Sequence, residues 1–175
     1  YLLVALFPAD QLRVLAFNRC VQDLGGRTPA DLLTELEKDF MVEPVGDDRA
    51  AEFPARRGQF LMLLDGQTIL LTVRRPALDK SPLRNLDVSI LQARILEPLL
   101  GISDVRGDPR LDYVTGDSGL EGLQARCSEG WQLGFACFPT SLAELMAVAD
   151  ASEVMPPKST CFDPKTRSGI FVRMS

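Results

Sequence analysis

Apolar and polar positions form short runs along the chain, and the spacing of the apolar residues differs from one run to the next. Gln59–Leu64 and Thr68–Val73 are apolar runs joined through Asp65-Gly66. That dipeptide favours the positive φ angles of a tight turn, so the pattern predicts a β-hairpin. Near the N-terminus, Leu2–Phe7 and Arg13–Phe17 flank a proline-containing turn signal and predict a second hairpin.

Helical spacing alternates with these strand patterns. Thr28 is the predicted N-cap of a helix that has Pro29 in its first position and ends near Phe40. The longest helical pattern covers Leu86–Leu100, and Gly101 is its predicted stop. Two more helices are predicted behind capping-box sequences, Ser118-x-x-Glu121 and Ser141-x-x-Glu144.

The remaining apolar runs predict short strands, and residues 155–168, with three prolines, are predicted to be irregular. These further strands are Met41–Val45, Asp112–Thr115, Gln132–Phe138 and Ile170–Met174. Strands and helices are interspersed and hairpins are present, which favours an α+β fold over a doubly wound parallel sheet. We therefore expect a single domain over residues 1–175, with a mixed, mostly antiparallel sheet and about four helices.

Composition narrows the chemistry that this chain can perform. The 175 residues include no histidine, which excludes a Ser-His-Asp or Cys-His catalytic unit and any His-ligated metal site built from this chain alone. None of the four cysteines forms a Cys-x-x-Cys pair, so zinc and thioredoxin-like motifs are absent and a reduced, cytoplasmic chain is expected. No metal site is expected, and the sequence identifies no cofactor.

The net charge and the hydropathy of the chain argue against two classes of partner, nucleic acids and membranes. The net charge is −5, whereas nucleic-acid-binding domains usually carry a basic surface, so no nucleic-acid partner is expected. No apolar run approaches the length of a membrane-spanning helix, so no membrane partner is expected either. The last twenty residues differ from the rest, with a local net charge of +3 against −8 for the remainder.

This basic C-terminal segment is the main candidate for a binding site. Cations, hydroxyl groups and irregular backbone are the materials of a phosphate or carboxylate site. Its predicted anion-binding residues are Lys158, Ser159, Thr160, Lys165, Arg167 and Ser168. Pro156-Pro157 stands where a P-loop would need glycine, so a Walker motif is rejected. The alternative is a solvated basic loop beside an acidic body.

Three residues elsewhere are additional candidates. Asn18-Arg19 follows the predicted strand Arg13–Phe17, and Arg19 is suited to clamping an anion, although pairing with a carboxylate of the chain is the simpler interpretation. Asp87 begins the longest helical pattern, where a carboxylate is favourable through the helix dipole alone.

Several strings resemble one uncharacterised prokaryotic family, the domain of unknown function number one thousand and fifteen. They are Phe17-Asn18-Arg19, Leu86-Asp87-Val88-Ser89-Ile90-Leu91-Gln92, Phe138-Pro139-Thr140-Ser141, Met155-Pro156-Pro157-Lys158-Ser159-Thr160 and Phe162-x-Pro164-Lys165-x-x-Ser168-Gly169. The resemblance covers essentially the whole chain and places it in the C-terminal half of the family.

The resemblance implies a missing upstream half but no reaction. Full-length members usually carry an upstream Asp-Gly-His-His-Arg type motif, similar to the phosphate-handling motif of ParB-like nucleotide enzymes. This chain also departs from the family, with Cys161 at a commonly aromatic position, Phe17 for a common Tyr, and Arg173 for a frequent His. The chain opens directly in an apolar run at Tyr1, which we interpret as the start of a fragment.

Two hypotheses for function follow. In the first, the chain is one half of a metabolic enzyme, binds a phosphorylated small molecule, and relies on the upstream domain of the same full-length chain for most catalytic groups. In the second, it is a non-catalytic structural, homodimerising or ligand-sensing domain. Convergence of Asn18, Lys158 and Arg167 on one cleft would favour the first hypothesis.

Overall fold

A computed structural model describes residues 4, 6–46, 48–52, 54–74 and 80–165. The strands are β1 (Arg13–Leu15), β2 (Phe17–Val21), β3 (Phe40–Pro44), β4 (Gln59–Leu64), β5 (Gln67–Val73), β6 (Leu111–Thr115), β7 (Leu133–Cys137) and β8 (Cys161–Asp163). The α-helices are α1 (Pro29–Leu36), α2 (Asp87–Leu91), α3 (Gly119–Ser128) and α4 (Leu142–Asp150). The predicted α+β fold with about four helices is confirmed.

Six strands form the main sheet in the order β3-β5-β4-β7-β2-β6, and β1 pairs with β8 in a separate two-stranded ribbon. Every strand pairing in the described part of the chain is antiparallel. The predicted hairpin between β4 and β5 is confirmed, with Asp65 at φ 50° and Gly66 at φ 71°. These positive angles match the twist of the flanking strands, which explains the Asp-Gly turn.

Alternate residues of the sheet belong to two different cores. Phe60, Met62 and Phe135 lie in the larger core, which also contains buried leucines of α1 and α2. Leu61 and Ala136 belong to the smaller core, which α3 covers. The central strands β4 and β7 are buried along their whole length because both of their faces are covered.

Two helix starts have the predicted caps. The Thr28 hydroxyl accepts from Asp31 N at 3.2 Å, and the Asp31 carboxylate accepts in return from Thr28 N. The Ser141 hydroxyl and the Glu144 carboxylate are arranged in the same way at the start of α4. Both pairs satisfy backbone N–H groups that a helix leaves free at its start, so these two boundaries are encoded locally.

The long helix predicted over residues 86–100 is not one regular helix. Five residues of α2 are followed by a π-helical segment, Gln92–Leu96, in which Glu97 N donates to Gln92 O at 3.1 Å. Ile95 and Leu96 are both buried in the main core. The predicted stop is confirmed, because Gly101 has φ 68°, a conformation that suits glycine.

Two other local predictions are wrong. Ser118 precedes α3 but caps nothing, because its backbone is already helical (φ −77°, ψ −11°) whereas an N-cap is normally extended. The predicted first helical face includes Phe40, but α1 ends at Leu36 and Phe40 begins β3.

The predicted N-terminal hairpin is also wrong where it can be checked. Residues 4, 6 and 7 lie outside any strand, and the predicted strand 13–17 is divided at Ala16 between two sheets. The partner of β1 is β8, which lies in the segment predicted to be irregular. Sequence patterns favour pairing with the nearest strand, and this partner is far away along the chain. The predicted strand Ile170–Met174 lies outside the described residues.

Gly116 allows the chain to pass closely between β6 and the junction of β1 with β2. A Cβ atom at this position would lie 2.7 Å from Ala16 O and 3.0 Å from Leu15 Cβ. Because the first contact is with backbone, we expect Gly116→Ala to lower the free energy of unfolding by about 1–3 kcal/mol. Urea denaturation measures this change.

The matched control is Gly107→Ala, where the contact at 2.7 Å is the exposed, movable Asp104 carboxylate. A change there within about 0.5 kcal/mol is expected. Equal losses in the two variants would contradict the proposed close approach at Gly116.

Among the described residues, no helix has both the length and the apolar character needed to cross a bilayer.

Candidate anion-binding site

Arg19 lies in the middle of β2 and is buried, with 4% of its surface exposed. Its guanidinium donates to Phe17 O at 2.6 Å and to Lys158 O at 3.3 Å. It also approaches Cys137 Sγ at 3.5 Å and stacks 5.6 Å from the ring centre of Tyr113. These contacts fix the position of the guanidinium between β2, β7 and the C-terminal segment.

No carboxylate of the described residues matches the charge of Arg19. Across the described ranges, no Asp or Glu forms an ion pair with it, although other arginines and lysines of the chain form such pairs. A buried cation is costly unless it is paired. The simpler interpretation from sequence, that Arg19 pairs with a carboxylate of this chain, is therefore not what the described structure contains.

The groups around Arg19 also titrate abnormally. Burial raises the pKa of Tyr113 above its usual value, although Arg19 lowers it; Asp104 raises it further. Burial likewise raises the pKa of the Cys137 thiol, against the lowering effect of Arg19. Both groups are therefore neutral near pH 7, and neither supplies the missing negative charge.

Lys158 brings a second cation to the same place. Its Nζ lies 5.2 Å from the ring centre of Phe17 and 5.9 Å from that of Tyr113. The two rings pack edge to face, with centres 6.3 Å apart. Lys158 has φ 55°, a left-handed conformation that costs a residue other than glycine about 1–3 kcal/mol. The fold thus holds this side chain in place at an energetic cost.

A cavity of about 150 Å³ lies beside Arg19 and Tyr113. It is lined by Arg19, Val88, Ser89, Gln92, Leu96, Val105, Tyr113, Pro156 and Pro157. Its walls come from β2, β6, the α2 and π-helical region and the C-terminal segment, so four distant parts of the sequence meet at this point. We call these residues together with Lys158 the Arg19 site.

Sequence reasoning missed two polar residues of the Arg19 site, Tyr113 and Gln92. Tyr113 lies on a short strand that carries no motif, and its only available signal is that tyrosine is rare in this chain. Gln92 stands where the helix becomes a π-helix, a feature that is often found at functional sites but has no sequence signature in this chain. Its amide nitrogen donates to Ile102 O at 2.8 Å.

Ser159 and Thr160, both predicted anion ligands, lie next to Lys158 in the sequence. Ser159 is buried, and its hydroxyl donates to Pro156 O at 2.7 Å. Its carbonyl accepts from the Thr140 hydroxyl at 3.4 Å. These bonds shape the turn that carries Lys158, so Ser159 positions that residue and is not among the cavity's lining residues. Thr160 is half-buried and does not line the cavity either.

The rest of the predicted basic cluster does not extend the Arg19 site. Lys165 is exposed and lies beyond β8. Arg167 and Ser168 lie outside the described residues, as does Arg173. The predicted convergence with Arg167 therefore stays a prediction, whereas Lys158 and Arg19 are in contact through the Lys158 carbonyl.

Asn18 has a structural role beside the site. Its Oδ1 accepts from Cys137 N at 3.1 Å, just beyond the last paired residues of β2 and β7. The side chain thus continues the hydrogen bonding where the strand backbones separate. Since Asn18 is buried and this acceptor is occupied, its contribution is to hold β7 in register next to Arg19.

Asp87 lines a different cavity, of about 560 Å³, next to α4. Its carboxylate accepts from Gly58 N at 2.9 and 3.1 Å. Burial raises the pKa of Asp87 to about 6, the Gly58 bond and Arg57 lower it, and Glu144 raises it. Asp87 does not line the cavity of the Arg19 site, although its charge raises the pKa of Cys137, which contacts Arg19. Its bond to Gly58 supports the structural interpretation over anion binding.

Other features of the described residues fit a ligand less well than the Arg19 site does. A groove of about 870 Å³ near Trp131 is larger, but no buried, unpaired charge like that of Arg19 lies among its described lining residues. No group of three or more Cys, Asp or Glu side chains in the described part of the chain is arranged to hold a metal ion. All four cysteines are free.

A family comparison matches residues 1–89 to the family described as Protein of unknown function (DUF1015). The chain belongs to this family. The match includes Arg19, Ser89 and the whole β4–β5 hairpin, so part of the cavity wall comes from the family's matched region. No curated protein matches the sequence.

Solved structures share the fold with this member of the family. A free serine kinase in complex with AMP has a TM-score of 0.51 and 15% identity, over 88% of this chain and 55% of that chain. The E30A mutant of a free serine kinase in complex with ADP gives 0.50 and 16% over the same shares. A conserved hypothetical protein from Pyrococcus furiosus gives 0.50 and 10%, over 87% and 56%. The chain spans about half the length of these proteins.

Proposed function

We propose that this chain is the phosphate-binding part of a protein that acts on a phosphorylated small molecule. The observation that carries the proposal is Arg19, a buried guanidinium without a carboxylate partner among the described residues. Bound phosphate would supply the missing charge, and guanidinium groups bind phosphate through charge-assisted hydrogen bonds. The predicted anion site is thus retained in part, with Arg19 and Lys158 as its cations.

Lys158 supports the same function. Its Nζ lies against two aromatic rings, and its exposed position leaves the ammonium accessible to a ligand near the cavity. An energetically unfavourable backbone angle at a charged residue is typical of functional positions, because the surrounding structure must hold it there. In the proposal, Arg19 fixes the phosphate and Lys158 adds charge at the mouth of the cavity.

The solved structures of similar fold support a phosphorylated ligand, because they include serine kinases holding AMP or ADP. The cavity of about 150 Å³ is smaller than the roughly 300 Å³ or more of typical ligand pockets. It suits a phosphoryl group, or the phosphate end of a larger ligand. We infer that the catalytic groups of an enzyme of this kind lie in a further part of the full-length protein.

Titration calorimetry of this chain with inorganic phosphate, AMP and ADP tests the proposal. Denaturation in the presence of ligand gives a second readout. Ligand at about a hundred times its Kd is expected to raise the free energy of unfolding by about 2.7 kcal/mol. Lys158→Ala is expected to weaken phosphate binding about tenfold, which corresponds to about 1.4 kcal/mol. Arg19→Lys should weaken it further, because one ammonium cannot make the fork of bonds that a guanidinium makes.

Lys38→Ala is the matched control, because Lys38 is exposed and paired with Glu35 in a solvated helix turn. Its phosphate affinity should equal that of the wild type. Lys158→Gly separates binding from folding: it relieves the unfavourable φ angle yet removes the ammonium, so stability should hold while affinity falls. Absence of binding by all three ligands would contradict the proposal and favour a non-catalytic domain.

A further inference from the structure

Trp131 is the single tryptophan of the sequence, and its half-buried side chain lines the groove of about 870 Å³. We call this groove the Trp131 groove. Its walls come from the end of α3, the turn between β4 and β5, and the residues that begin α1. Its volume lies within the roughly 300–1,000 Å³ of typical ligand pockets. The Trp131 groove is separate from the Arg19 site, because the two cavities share none of their described lining residues.

The chain after α3 holds Trp131 in place. Gly130 has φ 105°, a conformation that glycine adopts without strain, and Trp131 N donates to Arg126 O at 3.3 Å. The Arg126 guanidinium lies 5.4 Å from the centre of the Trp131 ring, and an ion pair with Asp112 holds this guanidinium in turn. A ring that is already immobilised loses little conformational entropy when a ligand packs against it.

The charges on the walls of the Trp131 groove cancel. Its two charged lining residues, Arg27 and Asp65, have opposite signs, and the Arg27 guanidinium donates to Leu99 O. Three exposed glutamines also line the groove: Gln67, Gln124 and Gln132. Within the described part of the chain, no hydrogen bond occupies their side-chain amides, each of which can both donate and accept. These walls therefore suit an uncharged ligand that has polar groups of its own.

The rest of the lining is largely apolar. Leu24, Leu63 and Leu64 are buried leucines that contribute to it, and the half-buried Cys127 thiol lies among them. Burial raises the pKa of Cys127, so this thiol is neutral near pH 7 and adds no charge. Apolar side chains, one aromatic ring and a few uncharged polar groups are the usual lining of a small-molecule pocket.

We propose that the Trp131 groove is a second binding site, which takes an uncharged heteroaromatic ring with hydrogen-bond donors and acceptors on its edge, as nucleobases have. The ring packs against the Trp131 indole, and aromatic pairs of this kind are favourable in both stacked and edge-to-face geometry. The glutamine amides bond to the polar edge of the ring. A charged ligand fits less well, because the groove has no net charge to pair with it. This site does not depend on the proposed phosphate-binding function.

Adenosine, which has a heteroaromatic ring and no phosphate, tests this site on the whole chain. Because the sequence has one tryptophan, tryptophan fluorescence reports on Trp131 alone, and adenosine should change it saturably. Ribose, which lacks the ring, should leave it unchanged. By calorimetry, Trp131→Leu should bind adenosine about tenfold more weakly than the wild type. Phe162→Leu is the matched control, because Phe162 lies on β8 and does not line the groove, and its affinity should be unchanged.

Cys127 gives a second readout, which requires no variant to fold. Cys127 and Cys161 are both free, half-buried thiols, but of the two only Cys127 lines the Trp131 groove. Adenosine should therefore slow the alkylation of Cys127 and leave that of Cys161 unchanged, as measured by mass spectrometry of peptides. The reaction is run at alkaline pH, because the raised pKa of Cys127 keeps its reactive thiolate scarce near pH 7.

Absence of both the fluorescence change and the protection of Cys127 overturns this inference, as does equal protection of the two cysteines. Unchanged affinity of a folded Trp131→Leu variant overturns it as well. Benzyl alcohol has a ring without a polar edge, and its binding as tightly as adenosine would overturn the assigned ligand class. None of these results bears on the Arg19 site, where Lys158→Ala should weaken phosphate but bind adenosine as the wild type does.

Discussion

Phe135→Ala is expected to lower the free energy of unfolding by about 3–5 kcal/mol. Phe135 is fully buried at the centre of β7, opposite Arg19 on β2 and Met62 on β4. Its ring lies in the larger core beneath the helices. Truncation loses the transfer free energy of the ring and leaves a cavity that two paired neighbouring strands cannot close.

Urea denaturation followed by circular dichroism measures this loss. Phe162→Ala is the matched control, because Phe162 is 37% exposed on β8 and lies outside the main sheet, so a loss below about 1 kcal/mol is expected. If Phe135→Ala does not fold, Phe135→Leu should fold with a smaller loss. Equal losses at the two phenylalanines would contradict the central position assigned to Phe135.

Asp87→Asn is expected to remove a pH dependence of stability. Burial raises the pKa of Asp87 to about 6 in the folded state, against a usual 3.8. Between these values the folded protein binds a proton that the unfolded chain releases, so stability falls as pH rises from about 4 to about 6. The shift corresponds to about 3 kcal/mol, from about 1.4 kcal/mol per pKa unit.

An asparagine stays neutral and still offers Oδ1 to Gly58 N, so the variant avoids this loss. The free energy of unfolding of Asp87→Asn relative to wild type should rise from pH 4 to pH 7 by about 3 kcal/mol. Denaturation at several pH values between these limits tests it. A difference that stays constant with pH would show that Asp87 titrates normally.

Asp108→Asn is a control that should change the stability at neutral pH in the opposite direction. The Arg110 hydrogen bond lowers the pKa of Asp108, so its ionised form stabilises the fold. This stabilisation is present above the usual pKa of the carboxyl and is lost as pH falls through its lowered folded-state pKa. Asp108→Asn should therefore destabilise the protein at neutral pH, whereas Asp87→Asn stabilises it.

The sequence is sufficient to predict those structural features that depend on residues close to one another along the chain. The Asp65-Gly66 turn and the Thr28 cap each depend on residues within four positions of one another, and both predictions are confirmed. The prediction that Ser118 caps α3 is wrong, because the residue types of a capping box do not determine the backbone angles that an N-cap needs. The pairing of β1 with β8 escapes prediction because the two strands lie about as far apart as the chain allows, and neither run shows its partner.

The charged residues of the candidate site can be predicted from the sequence, whereas the cavity beside them cannot. Residue type and position identify both Lys158 and Arg19 as candidates. Their proximity depends on the Lys158 carbonyl reaching Arg19, a contact between opposite ends of the chain. Nothing in the sequence marks Gln92 or Tyr113 as a residue of the site, because it is the fold that places both of them beside the cavity.

Under the proposed phosphate-binding function, we expect the separate ribbon of β1 and β8 to affect ligand affinity as well. Among the described residues, three pairs hold it: Arg13 with Asp163, Val14 with Phe162 and Leu15 with Cys161. Two-stranded pairings of this size have little stability by themselves, so the ribbon can open while the six-stranded sheet remains folded. Since Lys158 lies just before β8, we expect a ligand that needs the closed ribbon to show a Kd equal to its intrinsic Kd divided by the fraction of molecules in which the ribbon is closed.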